Sequence, residues 1–156
     1  MRHWCFLWMA LTTGCGVMGG ADGGVDGGQQ PDASGICDDD AMAGLARRAD
    51  GGAVQVRIQR MTPEPAEKGD NTWILRVETP ATTTPVGGAQ VTLKPFMPQH
   101  GHGTNPADFP GTESTTGEYQ VGPFNLFMPG RWELNVHVTP DGGAEEIITF
   151  HACIEG

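Results

Sequence analysis

The chain has 156 residues, with nine basic and nineteen acidic side chains and a formal net charge of −10. That balance argues against nucleic-acid binding, which needs a basic face, and its plainest physical meaning is solubility. The length beyond the first few tens of residues suffices for one domain with its own core.

The N-terminus reads as an export signal. Arg2 and His3 make a short polar start, Trp4 to Leu11 is almost wholly apolar, and Thr12-Thr13-Gly14-Cys15 follows. Basic start, apolar stretch and small residues are the order of a secretory signal, and the apolar part is far short of the ~20 residues that span a bilayer. Thr12-Thr13-Gly14-Cys15 also resembles the lipobox of bacterial lipoproteins, although Leu11 stands one place early. That resemblance implies a signal peptide over 1–15, lipidation of Cys15 and membrane attachment through the lipid. Gly16, where some lipoproteins carry Asp, implies the outer membrane, with the domain in the periplasm or at the cell surface. The other reading is an ordinary signal cut between Gly16 and Gly20.

Residues 16–36 are rich in Gly and Asp, with eight glycines among the twenty residues from Gly16 to Gly35. So few apolar groups cannot offset the entropy of ordering, and the stretch reads as a flexible tether. The domain then runs over 37–156, where sixteen acids and eight bases leave a net charge of −8. Once Cys5 leaves with the signal and Cys15 carries lipid, Cys37 and Cys153 remain, bracketing the domain. In an exported protein such a pair is expected to form a disulfide, for which the chain-entropy model gives roughly 4–5 kcal/mol. Metal ligation by either cysteine is the alternative.

Asp38-Asp39-Asp40 ahead of Ala41 to Arg48 predicts a short helix, acids at its start and arginines at its end. The triplet lacks the alternating acids and terminal Glu of a calcium loop. From there the pattern changes to period two. Val54, Val56 and Ile58; Trp73, Leu75 and Val77; Val91 and Leu93; Tyr119 and Val121; Trp132, Leu134, Val136 and Val138; and Ile148, Phe150 and Ala152 alternate with mostly polar neighbours. With a weak strand near 113–116, this predicts an all-β, immunoglobulin-like antiparallel β-sandwich of about seven strands with a short N-terminal helix.

Met97-Pro98-Gln99-His100-Gly101-His102-Gly103 sets one thioether and two imidazoles within six residues, and Met128 lies in Phe127-Met128-Pro129-Gly130. Thioether and imidazole suit copper(I), and imidazole suits copper(II), so Met97, His100, His102 and Met128 form the candidate metal site. If successive strands reverse, both segments fall at one end of the sandwich, together with Met61. His137 then lies near the other end, and His151 is a reserve ligand. Taken singly, Met97 and Met128 read equally as core filler, and His100-Gly101-His102 as a solvated turn.

The pieces Gly69-Asp70-Asn71-Thr72-Trp73, Gly88-Ala89-Gln90-Val91, Met97-Pro98 with His100-Gly101-His102, Gly117-Glu118-Tyr119 and Met128-Pro129-Gly130-Arg131-Trp132 resemble, in order and spacing, the YtkA-like family. The resemblance implies an exported immunoglobulin-like domain associated with copper handling and cytochrome oxidase assembly, with a copper donor or acceptor protein in the cell envelope as partner. The Cys37/Cys153 frame and the leading helix lie outside the family's usual pattern.

Three functions follow for test. The first is a lipid-anchored copper-binding protein, a carrier, buffer or assembly factor. An enzyme is the second and is not expected. A copper–zinc superoxide dismutase needs more imidazoles than His100, His102, His137 and His151 supply, and neither a Gly-x-Ser-x-Gly elbow nor an available cysteine nucleophile is present. The third is a metal-free interaction module that offers Phe96, Met97, Phe124, Phe127 and Met128 to an envelope protein as an apolar surface, with His100 and His102 incidental or pH-responsive.

Overall fold

The structure, a computed structural model, describes residues 41–156. The signal over 1–15 with Cys15, the tether over 16–36 and Cys37 lie outside the described residues.

Within them the chain forms strands β1 (Ala46–Arg48), β2 (Gln55–Thr62), β3 (Gly69–Glu78), β4 (Gln90–Met97), β5 (His102–Gly103), β6 (Phe109–Pro110), β7 (Thr112–Thr115), β8 (Glu118–Leu126), β9 (Gly130–Thr139) and β10 (Glu146–Ile154). One sheet has the order β1-β2-β3-β8-β7; the other is β10-β9-β4-β5, with β6 also on β4. All these pairings are antiparallel. The immunoglobulin-like sandwich expected from the period-two pattern is present, with three short strands, β1, β5 and β6, beyond the seven predicted. No helix among the described residues is long and apolar enough to cross a membrane.

The inward sides of the two sheets carry the predicted apolar sets. Val56, Ile58, Trp73, Leu75, Val77 and Val121 from one sheet, and Leu93, Leu134, Val136 and Phe150 from the other, are wholly buried. Trp73 bridges the layers, its ring meeting Phe124 edge-on at 5.6 Å and Phe150 at 6.1 Å. Asn71 is buried and ties the turn before β3: its amide donates to the carbonyls of Glu67 (2.8 Å) and Gly69 (2.9 Å). Tyr119 fastens β8 to the segment before β4, its hydroxyl accepting from the Ala89 amide (2.9 Å) and donating to the Val86 carbonyl (3.2 Å).

The helix expected over 38–48 is not found in the described part of that span. Ala46, Arg47 and Arg48 pair instead with Arg57, Val56 and Gln55 of β2, and Gly44, at φ +91°, turns the chain into that strand. Local propensity is a weak prior, and here the open edge of β2 outweighs it. Gly44 N–H reaches the Ile58 carbonyl at 2.7 Å, and Ile58 N–H reaches the Leu45 carbonyl at 2.9 Å. Arg57 gains a double role, with its guanidinium on the Gly44 carbonyl (3.2 Å) and on buried Glu78 (2.8 Å). Gln55 (2.6 Å) and Arg76 (3.4 Å) complete the shell of that carboxylate.

Candidate metal centre

Ladder registers put the ends of several strands at one pole. Gly69 at the start of β3 pairs with Leu126 at the end of β8, and Gly130 at the start of β9 pairs with Ile154 at the end of β10. Between β4 and β9 the last pair is Phe96 with Glu133. The end of β4 and the connection from β8 to β9 therefore share this pole, and Met61, near the end of β2, is buried towards it.

After Met97 the chain doubles back on itself. The amides of His100 and Gly101 both donate to the Met97 carbonyl, at 3.1 and 2.9 Å, and Gly101 takes φ +69°. The return strand β5 then pairs His102 with Met97 and Gly103 with Phe96. Directly opposed residues of a ladder carry their side chains on the same face, so His102 shares Met97's inward side. Gly103 is required here, since a Cβ would come within 2.5 Å of the Pro95 carbonyl oxygen.

The His100 and His102 rings lie 5.7 Å apart, tilted by 46°. Nδ1 of His102 is 3.1 Å from the Gly103 carbonyl oxygen. An oxygen of this kind only accepts, so the contact selects a proton on Nδ1 and leaves the lone pair of the neutral ring on Nε2. A backbone partner on one nitrogen commonly orients a metal-binding imidazole in this way. Met97 is wholly buried, His102 half-buried and His100 exposed. Met97's methyl group fills the space above Gly130, where a Cβ would lie 2.6 Å from it.

Met128 reaches the same neighbourhood through Trp132. The indole N–H of Trp132 donates to the Met128 carbonyl at 3.0 Å, and the Met128 side chain packs half-buried against the core. Phe127 stacks on His102 at 5.7 Å and 16°, and Trp132 meets His102 at 6.4 Å and Phe127 at 5.6 Å, both nearly edge-on. Sequence reading assigned Trp132 to the core alone and missed this ring triangle. The available signal was a pair of aromatics flanking the Met128-Pro129-Gly130 turn.

His137 stands far along β9, opposite Thr92 and Ile147 and away from this pole, as expected. His151 lies closer, paired with Glu133, but alternates with inward-facing Phe150 and Ala152, so it occupies the outer face of the sheet. It is not placed with His100 and His102. Cys153 is disulfide-bonded, while Cys37 lies outside the described residues.

Two residues of the apolar surface suggested for a protein partner are not on the surface. Met97 and Phe124 are 0 % exposed, whereas Phe96 and Phe127 keep 38 % and 43 % of their area open. Phe124 packs on Trp73 and on Phe109 at 6.0 Å. Strand alternation sends it inward although its neighbours in sequence look loop-like.

The donor set fits a soft or borderline ion. Among the described residues no three His, Cys, Asp or Glu side chains gather to hold a metal, so a site here would have to combine the two imidazoles with thioether sulfur, a mixture copper accepts.

The fold is a small antiparallel β-sandwich that carries Met97, His100, His102 and Met128 near one pole. A family model described as YtkA-like matches residues 50–137, more than half of the chain, and the chain belongs to the YtkA-like family. The match takes in Met97, His100, His102 and Met128. It is a family of binding-type domains and not a known enzyme family. No curated protein and no solved structure matches the chain.

Proposed function

We propose that this YtkA-like protein binds copper in the cell envelope, as a carrier, buffer or oxidase-assembly factor, with His100, His102, Met97 and Met128 as its ligands. The observation that carries the reading is the ladder pair Met97–His102 with His100 beside it, a sulfur residue and two imidazoles convergent at one strand end. The ion is cargo, received from and passed to an envelope protein. Exposed His100 is the ligand an incoming donor reaches first, while His102 and Met97 hold the ion from the sheet side. The exported character of YtkA-like domains supports an envelope location. Lipidation at Cys15, an outer-membrane anchor and the pairing of Cys153 with Cys37 belong to the same proposal.

Competition titration of the detergent-solubilised full chain with copper ions tests it. One equivalent held tightly by wild type and lost from the His100→Ala/His102→Ala double variant is the expected result. Equal, weak binding by both proteins would refute the copper reading.

A further inference from the structure

We infer that the site selects copper(I) over copper(II), and that Phe127 and Trp132 set this preference; the inference rests on the copper reading above. Three neighbouring strands deliver Trp132, Met97 and His102 side by side at the end of one sheet. His102 pairs with Met97, and Trp132 is the residue next to Glu133, the last β9 partner of β4. Phe127 closes this row from the turn before β9. Each of the three rings of His102, Phe127 and Trp132 lies within 6.4 Å of the other two.

The environment decides between the two ions. Trp132 and Met97 are wholly buried, and the Phe127 ring stacks on one face of half-buried His102. The cost of moving an ion out of water grows as the square of its charge, so a divalent ion loses about four times as much as a monovalent one. A carboxylate would offset that loss, but among the described residues no acid joins the two histidines in a metal-holding group. All the side-chain donors are neutral. Copper(I) accepts sulfur and neutral imidazole without further ligands, whereas copper(II) seeks nitrogen, oxygen and water. The aromatic faces attract a cation without coordinating it. Phe127 and Trp132 act as positioning and shielding residues, not ligands.

The test measures both affinities of the detergent-solubilised full chain: copper(I) without oxygen against a chromophoric copper(I) chelator, and copper(II) against a competing amino-acid chelator. Wild type, Phe127→Ala, Phe127→Leu and Trp132→Phe are compared. Phe127 is 43 % exposed, so its replacement leaves the fold in place, checked by far-ultraviolet circular dichroism. The expected results are a wild-type preference for copper(I) of at least a hundredfold, a fall of tenfold or more in that ratio for Phe127→Ala, and near wild-type behaviour for Phe127→Leu, which keeps water out. Equal binding of the two ions by wild type, or an unchanged ratio in Phe127→Ala, overturns the inference while copper binding itself stands. Binding of neither ion overturns the copper reading and the inference with it.

Discussion

Gly130 carries two constraints at once. Its φ of +121° lies where L side chains are strained, and the space a Cβ would take is already filled by the methyl group of Met97. Gly130→Ala is therefore expected to cost about 1–3 kcal/mol in thermal or denaturant unfolding. On the copper proposal it should also weaken copper binding, since it displaces Met97, a proposed ligand. A Gly130→Ala variant that melts as wild type and binds copper equally well would separate Met97 from the site. Met97 itself shows why single residues were ambiguous in the sequence. It is core filler by burial and a ligand candidate by its pairing with His102, and only the ladder register reveals that it is both.

Strand β7 illustrates how an exposed element is held. All four of its residues are exposed, yet the Glu113 carboxylate accepts the amides of Gly117 (2.8 Å) and Gly88 (3.1 Å). These N–H groups, Gly117 first, hold its acid group below the usual 4.5. A lowered folded-state value means that the contribution to stability is present above the unfolded value and disappears as pH falls through the lowered one. Glu113→Gln is thus expected to melt below wild type at pH 7, with the difference narrowing below pH 4.5 and closing in stronger acid. Melting curves across that range check it; a constant difference would show that the amide contacts act without the charge. The long strands were legible because Trp73, Leu75 and Val77, like Trp132 to Val138, alternate strictly, and the meeting of the Met97 and Met128 segments followed from strand reversal. Strand β1 was not legible: Ala41 to Arg48 has helical composition, and the edge of β2 that recruits it is distant in sequence. Nor were β5 and β6, since two residues display no period. The contact of Phe127 with His102 joins two loops that sequence order keeps apart.

At the scale of the molecule, the final strand returns to the pole where the candidate ligands lie. Cys153 pairs in register with Arg131, next to Trp132 and Gly130, and it is disulfide-bonded. The proposed pairing with Cys37 would close a long loop, and loss of such a bridge costs about 2–4 kcal/mol, so Cys153→Ser is expected to lower unfolding stability by that amount. Unfolding with and without reductant measures it. Wild type should fall to the level of the variant when reduced, and the variant should not respond.

Strand β5 brings His102 to its place and, in the same two residues, covers the end of β4's outer edge; β6 covers Thr92 and Leu93 further along. An uncovered strand edge is a template for pairing with another chain. Pro95, lacking an N–H, guards the stretch between the two short strands. The turn that presents the imidazoles is thus also a barrier to self-association. Shape changes in this turn are restricted from two sides, because a sequence that abandons the proposed ligands must still keep the edge closed.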